Sequence, residues 1–177
     1  MSKPTLATVW LDGCSGCHMS FLDMDERLLT IAQEVELVYS PLVDRKDFPD
    51  LVDITLVEGA VSSEEDLAKV KKVRAHTNLL VSLGDCAITS NVPGMRNPFG
   101  VQAILNRAYV ETVAMPKVPE YGVIPKLLDR VRPVHEVVPV DVYLPGCPPS
   151  ADLIFKTLLD LIAGRTPQAS ETQRFGA

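Results

Sequence analysis

Four cysteines are the residues of this 177-residue chain whose type and spacing best suit redox or metal chemistry. Cys14 and Cys17 form a Cys-x-x-Cys pair, whereas Cys86 and Cys147 stand alone in the sequence. Each of these sites follows an apolar run and lies in a turn that contains glycine. Thiolates are ligands of soft metals and of iron–sulfur clusters. If the fold brings the turns together, the thiolates could bind one cubane cluster.

The pair formed by Cys14 and Cys17 is ambiguous when it is considered alone. It is compatible with a zinc knuckle, with a thioredoxin-like dithiol at a helix N-terminus, and with half of a cluster site. A redox dithiol leaves Cys86 and Cys147 unexplained, and structural zinc favours paired knuckles. A cubane accepts thiolates from distant parts of a chain. The residues therefore favour one shared 4Fe–4S cluster, and they leave zinc and redox thiols open.

Composition limits the classes of partner and the compartment. The net charge is −6 and the pI is about 5.0, so the phosphates of nucleic acid would repel the chain. No stretch approaches the roughly 18 consecutive apolar residues of a transmembrane helix, and no export signal is visible. We therefore expect a cytoplasmic protein without direct membrane insertion. In that compartment, clustered cysteines are more often metal ligands than disulfides.

Alternating apolar strands and amphipathic helices predict the elements that position the cysteines. The expected strands cover residues 6–11, 35–39, 52–57, 79–83 and 140–144. The expected helices cover residues 20–31, 63–75, 99–110, 126–131 and 150–163, and residues 88–97 are expected to be irregular. A capping box formed by Ser62 and Glu65 should begin the second helix.

This alternation predicts an α/β fold with a parallel sheet and right-handed crossovers. Binding residues of such sheets lie in loops at the carboxyl ends of the strands. Cys14, Glu58, Cys86 and Cys147 should therefore share one edge. We expect residues 1–164 to form a single domain and residues 165–177 to form a polar C-terminal tail with little surface to bury.

Four ordered motifs resemble those of the small subunit of nickel–iron hydrogenases. They are Cys-Ser-Gly-Cys-His-Met-Ser-Phe-Leu-Asp at 14–23, Val-Glu-Gly at 57–59, Gly-Asp-Cys-Ala at 84–87 and Leu-Pro-Gly-Cys-Pro-Pro at 144–149. The chain is most similar to the short small subunit of the cytoplasmic NAD-reducing type. The related 20 kDa-type subunit of respiratory complex I typically has two adjacent cysteines in the first motif, which favours the hydrogenase.

The resemblance implies a flavodoxin-like, mostly parallel sheet flanked by helices, with one 4Fe–4S cluster bound by Cys14, Cys17, Cys86 and Cys147. It implies electron relay between the nickel–iron site of a large subunit and diaphorase subunits that carry iron–sulfur clusters, FMN and NAD. The chain would then be one subunit of a hydrogen:NAD+ oxidoreductase and would not be catalytic alone. The alternative is a connecting subunit of a complex I-like quinone oxidoreductase, or of another respiratory or ferredoxin-linked hydrogenase.

Glu58 is the second candidate functional residue because it follows a predicted buried strand beside the cysteine turns. In the hydrogenase family the matching glutamate lies near the proton route, so the resemblance implies proton transfer. The alternative is a solvated acid at a strand end, or one that caps a neighbouring turn. His18 is expected at a partner interface, with a hydrogen bond to cluster sulfur as the alternative. FMN in this chain is compatible with the fold, but no separate phosphate-binding glycine loop supports it.

Overall fold

A parallel sheet of five strands organises the protein, as seen in a computed structural model that describes residues 3–114, 117–120 and 122–167. In chain order the strands are β1 (Thr5–Trp10), β2 (Glu36–Tyr39), β3 (Val52–Glu58), β4 (Val61–Ser63), β5 (Thr77–Leu83), β6 (Leu127–Arg132) and β7 (Val142–Leu144). The sheet has the order β2-β1-β3-β5-β7, and every neighbouring pair in it is parallel. This is the strand order of flavodoxin-like proteins.

Helices cover both faces of the sheet. They are α1 (Gly16–Leu22), α2 (Arg27–Glu34), α3 (Glu64–Ala75), α4 (Gly84–Thr89), α5 (Asn91–Gly94), α6 (Val101–Asn106) and α7 (Ala151–Ile162). One apolar core joins the sheet to α1, α2 and α7, and a second core lies under α3 and α4. The predicted fold class, a mostly parallel sheet flanked by helices, is confirmed. The assignment of residues 1–164 to one domain stays a prediction, and residues 168–177 of the expected tail lie outside the described residues.

The helix predicted at 126–131 is wrong, because this segment forms strand β6. It pairs antiparallel with β4, with Val61 opposite Arg132 and Ser63 opposite Leu127. A six-residue run of mixed apolar and charged residues carries too few periods to separate helix from strand. The partner strand is remote in sequence, so its pairing decides the conformation.

The predicted helix at 20–31 is in fact two helices, and the first begins within the Cys-x-x-Cys motif. Helix α1 starts at Gly16, and α2 starts at Arg27. The two are separated by a turn in which Asp25 has a φ of +50°. Residues 88–97, predicted to be irregular, contain the end of α4 and all of α5.

The capping box that begins α3 lies one residue later than predicted. Ser63 accepts a hydrogen bond from the backbone N–H of Asp66 at 3.0 Å, and the Asp66 carboxylate accepts one from the backbone N–H of Ser63, also at 3.0 Å. Ser62 and Glu65 therefore do not form the box. None of the helices in the described ranges is long and apolar enough to cross a lipid bilayer.

Candidate metal centre

The fold places the four cysteines at the same edge of the sheet, as their positions after predicted strands indicated. Cys14 lies in the loop after β1, and Cys17 is the second residue of α1. Cys86 lies in the first turn of α4, directly after β5, and Cys147 follows β7. Because the strands are parallel, their carboxyl ends meet at one edge. The turns that carry the thiols are therefore neighbours.

The thiols act on one another electrostatically. Cys17 and Cys86 are buried, whereas Cys14 and Cys147 are exposed. Burial, followed by the charge of Glu58, raises the pKa of the Cys17 thiol, and the other three cysteines act in the same direction. Burial also raises the pKa of the Cys86 thiol. Coulomb interactions weaken with distance, so these effects indicate that the sulfurs share one neighbourhood.

Two reciprocal hydrogen bonds hold the Cys86 turn against the Cys147 turn. The backbone N–H of Asp85 donates to the carbonyl oxygen of Gly146 at 2.9 Å. The backbone N–H of Gly146 donates to Oδ1 of Asp85 at 2.8 Å. Gly146 has a φ of +140°, and a Cβ there would lie 2.6 Å from the backbone of Pro149. Glycine at position 146 therefore allows the chain to fold tightly back on itself at Cys147, Pro148 and Pro149.

Replacing Asp85 by alanine should loosen the junction of these turns. The Gly146 N–H would lose a charged acceptor, which is worth about 1.5–3 kcal/mol when the bond is well buried and less here. We expect a lower melting temperature and less iron in the purified complex. Asp85→Asn is the matched control, because it keeps an oxygen acceptor and should retain the iron. Unchanged stability and iron content in the alanine variant would contradict the proposed link between the turns.

Two glycines let the backbone approach the sulfurs closely. Gly84 has a φ of +80°, and a Cβ there would overlap Sγ of Cys17. A Cβ on Gly16 would lie 3.2 Å from Sγ of Cys14. The backbone N–H of Gly16 donates to the same sulfur at 3.4 Å. Backbone N–H groups directed at sulfur stabilise negative charge, so this edge suits an anionic thiolate-bound group.

The four thiols are donors that a structural zinc ion or a cubane cluster can use. Among the residues that the structure describes, no three His, Cys, Asp or Glu side chains are grouped so that they could hold a single ion. A structural zinc needs four ligands around one centre. In a cubane, each of the four thiolates binds a different iron, so the sulfurs stay farther apart. The four-thiol donor set therefore agrees with a 4Fe–4S cluster.

Glu58 is the last residue of β3 and is only 2% exposed, so the alternative of a solvated strand-end acid is wrong, whereas the alternative of an acid that caps a neighbouring turn agrees with its contacts. Its carboxylate accepts hydrogen bonds from the backbone N–H groups of Cys17 at 3.3 Å and His18 at 2.9 Å. These N–H groups belong to the first turn of α1, where a negative charge is favourable. Glu58 therefore connects the helix of the Cys-x-x-Cys motif to the central sheet.

His18 extends this network into the sheet and does not lie at the surface. Its ring contacts the Glu58 carboxylate through Nδ1, and its Nε2 lies 3.0 Å from Oγ1 of Thr8. The Thr8 hydroxyl donates to Ser40 at 2.8 Å. His18 is 3% exposed, so the expected place at a partner interface is wrong. Sequence reasoning missed Thr8 and Ser40; the only available signal was a hydroxyl inside the apolar run of β1.

A cavity of about 490 Å³ lies beside the carboxyl ends of β1 and β2, at the edge of the sheet where ligands of open α/β sheets bind. Trp10 and Tyr39 are among its lining residues. Its charged lining consists of the acidic residues Asp12, Glu65 and Asp66 and one basic residue, Lys69. Excess negative charge disfavours a flavin phosphate. The cavity therefore adds no support for FMN in this chain.

The chain has an α/β fold with four cysteines at one edge of the sheet. It belongs to the family described as NADH ubiquinone oxidoreductase, 20 Kd subunit, whose model matches residues 14–161. The chain is similar to the delta subunit of the NAD-reducing hydrogenase HoxS of Cupriavidus necator. The two are 45% identical over 168 residues, which cover 92% of this chain and 80% of the relative.

A solved structure and a more distant relative agree with this similarity. A chain in the crystal structure of an NAD+-reducing NiFe-hydrogenase in the H2-reduced state superposes with a TM-score of 0.91 and 41% identity, covering 97% of this chain and 98% of that one. One subunit of the F420-non-reducing hydrogenase of Methanothermobacter thermautotrophicus is 33% identical over 96% of this chain, which spans 57% of that relative. The resemblance to hydrogenase small subunits, predicted from four motifs, is confirmed.

Proposed function

We propose that this chain is the electron-transfer small subunit of a hydrogen:NAD+ oxidoreductase, with one 4Fe–4S cluster bound by Cys14, Cys17, Cys86 and Cys147. The observation that carries the proposal is the placement of these cysteines at one sheet edge in a chain similar to NAD-reducing hydrogenase subunits. When bound, such a cluster supplies one-electron transfer. The protein's part is to hold four thiolates, exclude water from two of them and direct N–H groups at sulfur.

The proposed partners are a large subunit with the nickel–iron site and diaphorase subunits that carry iron–sulfur clusters, FMN and NAD. Exposed apolar side chains on α1, on α5 and in the segment after α5 support partner binding; they are Met19, Val92, Met95 and Phe99. Exposed apolar surface of this kind usually marks an interface. A cytoplasmic location of the complex stays a prediction.

Proton transfer by Glu58 also stays a proposal. The carboxylate lies beside the Cys-x-x-Cys helix, and a chain of groups with exchangeable protons leads from it through His18 and Thr8 to Ser40. In this geometry the carboxylate accepts hydrogen bonds from His18 and from two backbone N–H groups. To carry a proton it must release at least part of that network. Glu58 therefore has two possible roles, which are to position α1 and to transfer protons.

The second candidate function is a connecting subunit of a complex I-like quinone oxidoreductase, because the family description names that assembly. Purification of the native complex separates the two candidates. A hydrogenase complex will contain a nickel-bearing large subunit and will reduce NAD+ with H2. A membrane-bound quinone-reducing complex without nickel would contradict the first proposal.

Replacing Cys17 or Cys86 by serine tests the cluster itself. Serine oxygen is a poor substitute for a buried thiolate, so we expect loss of about four irons per complex and of the corresponding EPR signal after reduction. H2-dependent NAD+ reduction should fall to background, whereas NADH oxidation by an artificial acceptor, which needs only the diaphorase subunits, should persist. Full iron content in either variant, or zinc in the wild-type subunit, would contradict the proposed ligands.

A further inference from the structure

The turn formed by Ser90 and the start of α5 contacts two of the four cysteine sulfurs. Nδ2 of Asn91 donates a hydrogen bond to Sγ of Cys147 at 3.4 Å. Burial raises the pKa of the Cys86 thiol, and a hydrogen bond from the backbone N–H of Val92 opposes that effect. The cysteines come from the ends of two neighbouring strands, β5 and β7. The segment of residues 90–92, here named the 90–92 turn, thus supplies donors to both.

Two residues of the 90–92 turn have a backbone conformation that residues other than glycine rarely adopt. Ser90 has a φ of +65° and Asn91 a φ of +21°, and neither residue is glycine. Left-handed conformations cost about 1–2 kcal/mol for a residue with a Cβ, although asparagine tolerates them better than most. The turn is held by hydrogen bonds from the N–H of Ser90 to the carbonyl of Cys86 and from the N–H of Gly94 to the carbonyl of Ser90. Strain of this kind persists where the surrounding structure enforces it, often at functional sites.

We propose that Asn91 tunes the reduction potential of the cluster bound by the four cysteines, by donating an N–H···S hydrogen bond to Cys147. The inference rests on the proposed function. One-electron reduction adds a negative charge to the cluster and its thiolates, and a donor to sulfur stabilises the more negative state. The amide of Asn91 therefore raises the potential. Asn91 itself exchanges no proton in this step, since asparagine does not titrate.

Asn91 is the informative position because its donor belongs to a side chain. The donor of Val92 belongs to the backbone, so a substitution there would not remove it. Asn91→Asp replaces the donor by a negative charge beside Cys147. Asn91→Gly removes the donor and also relieves the backbone strain, so it separates loss of the hydrogen bond from misfolding of the turn.

The test is an EPR-monitored redox titration of the cluster in the purified hydrogenase complex. We expect Asn91→Gly to lower the equilibrium constant for one-electron reduction of the cluster up to about tenfold, which corresponds to a reduction potential lower by about 59 mV. We expect Asn91→Asp to lower the potential further. Asn106→Asp is the matched control, because it adds the same charge on α6, where the side chain contacts Gln102 and no cysteine. Its potential should equal that of the wild type.

The outcomes separate this inference from the proposed function. Wild-type complex without a four-iron signal would overturn both. A wild-type cluster whose potential is unchanged in both Asn91 variants would overturn the inference alone. Loss of the cluster from both variants would also overturn it, because Asn91 would then serve cluster retention and not its potential.

Discussion

Replacing Gly84 by alanine will displace the Cys17 thiol and leave the purified complex without most of the iron proposed for this subunit. The new Cβ would overlap Sγ of Cys17 and would lie 3.3 Å from the carbonyl oxygen of Gly146. Neither the sulfur nor the Gly146 turn can retreat freely, because Cys17 lies in the buried first turn of α1 and Gly146 is bonded to Asp85. H2-dependent NAD+ reduction should fall with the iron content.

The matched control for this variant is Gly100→Ala. Gly100 has a φ of +76°, close to that of Gly84, but a Cβ there would meet no atom within 4 Å. Both positions have a positive φ, so both variants carry backbone strain, and only one carries the overlap with sulfur. We expect the control to lose some thermal stability and to keep its iron. A Gly84→Ala complex with full iron and a normal EPR signal would show that Cys17 is not a ligand.

Replacing Glu58 by leucine should lower the free energy of unfolding, because each buried donor that is left without an acceptor costs about 1–3 kcal/mol. The backbone N–H groups of Cys17 and His18 would lose their acceptor, and the His18 ring would lose its partner on Nδ1. Leucine cannot accept any of these bonds. The measurement is chemical denaturation of the complex, monitored by the release of iron. Glu65→Leu is the control, because it makes the same change at an exposed position of α3.

Glu58→Gln separates the two roles proposed for this residue. Glutamine keeps the volume but has one acceptor oxygen, so one donor would face its NH2 group, which costs about 1–3 kcal/mol. If Glu58 only positions α1, H2 activity will fall in proportion to cluster content. If Glu58 carries protons, activity per cluster will fall, and the rate will show a larger solvent isotope effect. Normal H2 activity in this variant would end the proton-transfer proposal.

The sequence predicted the sheet and the edge at which the cysteines lie, because both depend on local patterns. Apolar runs followed by glycine turns mark β1, β5 and β7, and the parallel topology then brings their carboxyl ends together. The helix at Ser150 was also predicted correctly, since its cap is local: the Ser150 hydroxyl accepts from the N–H of Leu153 at 3.3 Å. Such features need only residues that are close in the chain.

The features that the sequence did not predict depend on partners that are remote in the chain. Helix α1 has no side-chain cap from Ser15, and Glu58 on β3 bonds its first turn instead. Burial of His18 depends on Glu58 and on Thr8. Strand β6 exists because it pairs with β4. The bond from Asn91 to sulfur requires a left-handed turn that no sequence pattern indicated.

The position of β7 has a consequence for how the protein is made. This strand pairs with β5 over three residues at the rim of the sheet, and Cys147 follows it, far along the chain from Cys86. A nascent chain on the ribosome can therefore fold its first four parallel strands while it still lacks one thiol of the set. If all four thiols bind the proposed cluster, insertion of iron and sulfide has to wait until β7 and the turn after it have left the ribosome, so the order of synthesis sets the earliest moment of maturation.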